Sequence, residues 1–158
     1  MRMHKQPQGF TLIEVLVSLL ILAVGLLGMA SLMTTSMHSS HNAYSRNEAS
    51  LLAYDIADRM RLNRELAISG NAYVLNEDDE PAAADCGDDG CSAAEQAQLD
   101  LNHLYSELQS NLPGGTVQIS RAATNQYSII LSWPSTFRAT DDDDTVTETL
   151  SFTLRVDL

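Results

Sequence analysis

Gly9-Phe10-Thr11-Leu12-Ile13-Glu14 runs directly into VLVSLLILAVGLLGMASLM, residues 15–33. Those 19 residues carry no charged side chain, and as a helix they rise about 28 Å, close to the about 30 Å of a bilayer's hydrocarbon core. The segment can span a membrane once. In front of it lie Arg2, His4 and Lys5, with no acidic residue before Glu14. The positive-inside rule puts that short arm in the cytoplasm and the remainder on the far side. No small-residue cleavage pattern follows the apolar run, which continues into more helix, so a removable secretory signal is disfavoured.

On hydropathy alone the segment reads as a plain signal anchor. Two details argue otherwise. A carboxylate at Glu14, at the very start of the span, is costly in lipid unless partnered, although the positive end of the helix dipole also favours it there. The second detail is the stretch Gln8-Gly9-Phe10-Thr11-Leu12-Ile13-Glu14-Val15 itself. It resembles the class III leader of type IV prepilins and pseudopilins. The resemblance implies scission between Gly9 and Phe10 by a prepilin peptidase, which then methylates the new amino terminus. It also implies an assembly role for Phe10 and Glu14, and no cofactor is expected. Loss of Arg2 and Lys5 with the leader takes the net charge from −12 to −14.

Cutting before an apolar run retains the helix and creates a cationic amine at its start. In a bundle of such helices Glu14 can pair with the Phe10 amine of a neighbour, offsetting the desolvation of both. Pairing with its own amine one turn away is also sterically open, so the intersubunit pair is what the resemblance implies and spacing alone does not force it. Gly25 and Gly28 permit close helix approach without matching the GxxxG spacing, and glycine is also simply common in membrane helices.

The whole chain has 158 residues, enough for one domain with a core, and a net charge of −12 that disfavours binding to a phosphate backbone. Past Met33 the helical pattern persists to about Ile68. Ala49, Leu52, Ala53, Ile56 and Met60 form a core stripe, and Asp55–Arg59, Asp58–Arg61 and Arg61–Glu65 pairs fall on the other face. Arg46, Arg59, Arg61 and Arg64 make this helix the candidate basic strip, read as salt-paired surface with no nucleic acid expected. Ser69-Gly70-Asn71 suits a left-handed helix stop.

Residues 76–91, NEDDEPAAADCGDDGC, read as an acidic surface excursion. Cys86 and Cys91 bracket a flexible Gly-Asp-Asp-Gly spacer, and an oxidising exterior favours a structural disulfide between them. A redox-active pair is less consistent with C-x4-C spacing and no adjacent cation. An EF-hand reading from Asp85 fails because Gln96 occupies the twelfth position. Irregular calcium sites at Glu77–Glu80 or Asp141–Asp144 compete with simple solvated loops. His38 and His41 sit three apart on helix with no acidic residue nearby in sequence, and read as polar surface.

A further helix is expected from Ser92 to about Leu112, with Ala97, Leu101, Leu104, Leu108 and Leu112 on one face and Pro113-Gly114-Gly115 as its stop. The period then becomes two. Val117 and Ile119, then Tyr127 to Trp133, then Leu150 to Leu158 predict three antiparallel strands with one wet face, Pro134 to Asp144 forming an acidic loop between the last two.

The fold class so read is α+β: a long amino-terminal helix, membrane-spanning in its first half, packed on a carboxy-terminal antiparallel sheet, with an added helix and a disulfide loop. This order of elements resembles the type IV pilin architecture. The segments are a leader over 1–9, an assembly helix over 10–33 and a periplasmic globular domain over 34–158. Residues 23–30, 57–64 and 112–115, the acidic cysteine loop and the Tyr127–Trp133 strand also resemble a subgroup of minor pilins, the pilus modification proteins. That resemblance implies a structural subunit helping to initiate or cap a type IV pilus, and supporting twitching motility and adhesion. The partners it implies are prepilin peptidase, other minor pilins, the major pilin, the inner-membrane assembly machinery and a tip adhesin. A minor pseudopilin of a type II secretion system shares the same start and fold. A membrane-anchored ligand- or calcium-binding periplasmic domain is the reading from another class. No nucleophile triad, phosphate-cradling glycine loop or catalytic carboxylate pair is present to suggest an enzyme.

Overall fold

The computed structural model describes residues 9–87, 90–138 and 145–158. The expected leader residues before Gly9, Asp88 and Asp89 of the cysteine spacer, and the Asp141–Asp144 run lie outside the described residues. The chain forms two compact units, Met1–Ser40 and His41–Leu158. Helix α1 spans Leu12–Leu62.

In the first unit every described residue is exposed, and α1 there contains a stretch long and apolar enough to cross a membrane, none of it buried. Three of its hydroxyls bond back to the helix. Ser18 Oγ donates to Glu14 O at 2.7 Å, and Thr34 and Thr35 donate to the carbonyls of Ala30 and Ser31 at 3.1 Å each. Back-bonding of this kind lets a helix carry hydroxyls without presenting free donors to lipid.

The second unit is built around one core. Helix α1 contributes Ala49, Ala53 and Ala57, spaced by four and fully buried, flanked by Leu52, Ile56 and Met60. A stripe of alanines lets the facing elements approach closely while the larger side chains fill the gaps. Helix α3, Ala93–Asn111, adds Ala97, Leu101, Leu104 and Leu108. Its start is a complete capping box: Glu95 N donates to Ser92 Oγ at 3.3 Å, and Ser92 N donates to Glu95 Oε2 at 2.7 Å. Those bonds hold the Glu95 carboxyl below its ordinary pKa.

Its end needs glycine. A Cβ on Gly115 would lie 2.8 Å from Leu112 O and 3.2 Å from Ser132 O, and Gly114 sits at φ +75.

Strands β1 (Thr116–Ala123), β2 (Gln126–Arg138) and β3 (Thr145–Asp157) form an antiparallel meander in the order β1-β2-β3. Val117 pairs with Leu131 and Ile119 with Ile129 across the first ladder. Tyr127, Ile129, Leu131 and Trp133 pair with Val156, Leu154, Phe152 and Leu150 across the second. The dry face so formed is buried over β1 and β2, with Trp133 only 3% exposed. It is half-covered over β3 at Leu150, Phe152 and Leu154.

Four expectations are corrected. The helix does not run unbroken to Ile68: α1 ends at Leu62, Asn63 takes φ −108 and ψ 38, and α2 covers Arg64–Ser69. Asn63 Nδ2 donates to Ala93 O at 2.7 Å and to Tyr73 Oη at 3.2 Å, so partners remote in sequence hold it off helical angles. With the break in between, Arg61 pairs with Asp58 at 2.6 Å and makes no ion pair with Glu65.

Gly70 is extended, not left-handed. The last carbonyls of α2 instead receive Arg121, whose Nη1 donates to Gly70 O at 2.7 Å and whose Nη2 donates to Ile68 O, and Tyr127, whose Oη donates to Ala67 O at 2.8 Å. Side-chain donors replace the left-handed turn that would otherwise satisfy those groups.

Finally, Pro134 to Arg138 is strand, not loop, and pairs with Thr149 to Thr145. The β1 ladder ends at Ser132, so Pro134 lies where β2 has one neighbour only and a missing N–H is tolerated.

Candidate functional site

The residues assigned to processing and assembly lie together in the first unit. Gly9 and Phe10 precede the helix, and Phe10 is 83% exposed. The helix is started by Thr11, whose carbonyl accepts from Glu14 N at 3.1 Å and Val15 N at 3.3 Å. Phe10, Glu14, Val15, Ser18, Leu19 and Leu22 line one open groove, because residues three or four apart lie on one helix face. Among the described residues the Glu14 carboxylate accepts no hydrogen bond and makes no ion pair. In the uncut chain the Phe10 nitrogen is an amide, so a cationic partner at that position exists only after scission of the Gly9–Phe10 bond.

Cys86 and Cys91 are disulfide-bonded, with Cα atoms 4.8 Å apart. Gly90 N donates to Gly87 O at 3.0 Å, and Gly90 takes φ +90, which closes the small ring. The acidic loop before it is held by hydrogen bonds. Glu77 Oε1 accepts from Thr116 Oγ1 at 3.0 Å, Asp79 Oδ2 accepts from Asn76 Nδ2 at 2.8 Å, and Glu80 Oε1 accepts from Tyr105 Oη at 3.2 Å. These carboxylates diverge toward different neighbours instead of converging on one point. Among the described residues no three potential metal ligands cluster. His38 and His41 are both exposed on α1.

One polar site escaped the sequence reading. Asp100 lies on the apolar face of α3 and is 2% exposed. Its Oδ2 accepts from Tyr73 Oη at 2.8 Å, and its Oδ1 accepts from Gln96 Nε2 at 2.9 Å and Arg59 Nη1 at 3.4 Å. Arg59 Nε donates to Asp55 Oδ2 at 2.7 Å, a bond that raises the guanidinium pKa. Burial, then the bond to Asp100, pushes the Tyr73 hydroxyl well above the ordinary tyrosine range. The cluster ties α3 to both sides of the break at Asn63. Beside it, Arg59, Leu62, Asn63, Cys91, Ala93, Gln96 and Asp100 line a cleft of about 320 Å³. The available signal was the spacing of Asp100 with Ala97, Leu101, Leu104 and Leu108. It reads as one wrong residue on a good stripe until its partners are known.

Comparison with known families matches residues 4–30 to the prokaryotic N-terminal methylation motif and residues 31–102 to type IV pilin Tt1218. No curated protein and no solved structure matches the chain. The methylation motif implies processing by a prepilin peptidase and assembly with other pilins, and with the exposed apolar helix it is consistent with inner-membrane anchoring and incorporation into a pilus. The second match extends over the rest of α1, α2, the cysteine loop and the first turns of α3, and agrees with a long amino-terminal helix packed on a three-stranded antiparallel sheet. With a methylation signal followed without a gap by a pilin domain, the chain is a type IV pilin-like protein.

Proposed function

We propose that this chain is a minor pilin, a structural subunit that helps to initiate or cap a type IV pilus and so supports twitching motility and adhesion. Its role is architectural, not catalytic. The observation that carries the reading is Glu14, unpartnered among the described residues at the foot of the exposed apolar stretch of α1. In lipid an unpaired carboxylate is costly, and a bundle of processed helices supplies the missing cation, because each scission between Gly9 and Phe10 creates one amine per subunit. The exchange of lipid for sister helices is then favoured at the point where the charge sits. Further support comes from the resemblance of the regions around 23–30, 57–64 and 112–115 to pilus modification proteins. Other minor pilins, the major pilin, the assembly machinery and a tip adhesin are the partners this role requires.

Intact-mass analysis of the protein from its native membrane tests the first step. Loss of residues 1–9 with one added methyl group supports the reading, and a chain still carrying Met1 refutes it. Glu14→Ala is expected to insert and be cut normally yet to be depleted from sheared fibres. A deletion strain that keeps its motility but loses exported enzymes identifies a minor pseudopilin of a type II secretion system instead. An uncut but stable membrane protein identifies an anchored binding domain.

A further inference from the structure

The two outer edges of the sheet are treated differently. Along β1 the edge is partly occupied: Leu75 N donates to Ile119 O at 3.0 Å, Ile119 N donates to Leu75 O at 2.9 Å, and the β1 register shifts between Arg121 and Ala123. β3 has none of these devices. It pairs with β2 in unbroken register over 13 residues, contains no Pro, Gly or Lys, and among the described residues no strand lies on its outer side. Alternate backbone N–H and C=O groups of an edge strand point outward, a template that folded proteins normally blunt with bulges, proline, lysine or a covering segment. The side chains repeat the message. Leu150, Phe152 and Leu154 are half-buried on the dry face, while Thr147, Thr149, Ser151 and Thr153 are exposed on the other.

We propose that the outer edge of β3 is a strand-addition site, which takes an extended segment of another protein subunit into the sheet. Hydrogen-bond complementarity demands an extended backbone, since neither a helix nor a lipid surface offers matching donors and acceptors at strand spacing. The half-covered row demands apolar residues at every second position of the incoming strand, so that the dry face is completed beyond Phe152. Charge excludes a second copy as the occupant. Each chain carries −12, and Glu148 and Asp157 outnumber Arg155 on β3 itself, so a neutral or basic strand is accepted and a like-charged one is repelled. The site does not depend on where in a fibre the subunit stands, and its failure would leave processing at Gly9 untouched.

The test uses the full chain in detergent micelles and a labelled synthetic peptide of alternating valine and threonine with a lysine at each end. Saturable binding is expected, with amide exchange across Thr145–Asp157 slowed about tenfold or more. The same peptide methylated on its backbone nitrogens keeps its side chains but loses its donors, and is expected to bind at least about tenfold more weakly. Absence of binding by the unmethylated peptide, equal binding by the methylated one, or protection mapping to β1 or α1 and not to β3 each overturns the proposal. Tight binding by a peptide copying residues 147–157, with concentration-dependent dimerisation of the protein, overturns the occupant and replaces it with a second copy.

Discussion

Replacing Asp100 by alanine is the most informative change in the globular unit. It removes the acceptor of three donors at a residue that is 2% exposed. The three losses are unequal. Tyr73 is fully buried, and its hydroxyl loses a 2.8 Å bond to a carboxylate, worth about 1.5–3 kcal/mol. Gln96 is exposed and re-forms much of its 2.9 Å bond with water, so its share is at most about 1 kcal/mol. Arg59 adds least, because its side chain is 33% exposed, its contact to Asp100 is long at 3.4 Å, and it keeps Asp55 at 2.7 Å. The total is a destabilisation of about 2–4 kcal/mol. Tyr73→Phe strands nothing comparable, since Asp100 retains two donors, and is expected to cost about 1–2 kcal/mol. Urea unfolding of the full chain in detergent, followed by Trp133 fluorescence, measures both. A loss below about 1 kcal/mol for Asp100→Ala, or a larger loss for Tyr73→Phe than for Asp100→Ala, refutes the view that this carboxylate is the hub joining α3 to the break at Asn63.

Stability is also expected to fall with alkaline pH. Tyr73 and Tyr127 both have hydroxyls raised above the ordinary value of 10.0, chiefly by burial, so their contribution is whole below that value and declines as pH rises through it. Each contributes a slope of at most about 1.4 kcal/mol per pH unit. Denaturation midpoints taken from pH 8 to pH 12 should bend downward above about 10, and less so in Tyr73→Phe. Gly115→Ala forces a Cβ to 2.8 Å from Leu112 O and is expected to cost about 1–3 kcal/mol by urea unfolding. Gly25→Ala and Gly28→Ala meet nothing within 4 Å and should leave the isolated protein unchanged by the same measure. Cys86→Ser with Cys91→Ser opens a ring with a sequence separation of 5 and is expected to cost about 2 kcal/mol while leaving the far-ultraviolet circular dichroism of helices and sheet intact.

The sequence by itself determined the apolar amino-terminal span, the order of elements and most of the core. An uncharged run of bilayer length, a 3.6-residue stripe from Ala49 to Met60 and a two-residue alternation through Tyr127 to Trp133 are one-dimensional signals, because each reflects a single face meeting a single environment. The processing motif was legible for the same reason, being contiguous. What only the tertiary structure decided are the features whose cause lies far along the chain. The helix breaks at Asn63 because Ala93 and Tyr73 capture its amide, and α2 ends without a left-handed glycine because Arg121 and Tyr127 reach its carbonyls from the sheet. Asp100 is buried because Tyr73, Gln96 and Arg59 meet it there. A polar group's environment is set by partners that the fold must first assemble, whereas an apolar stripe needs only to leave water.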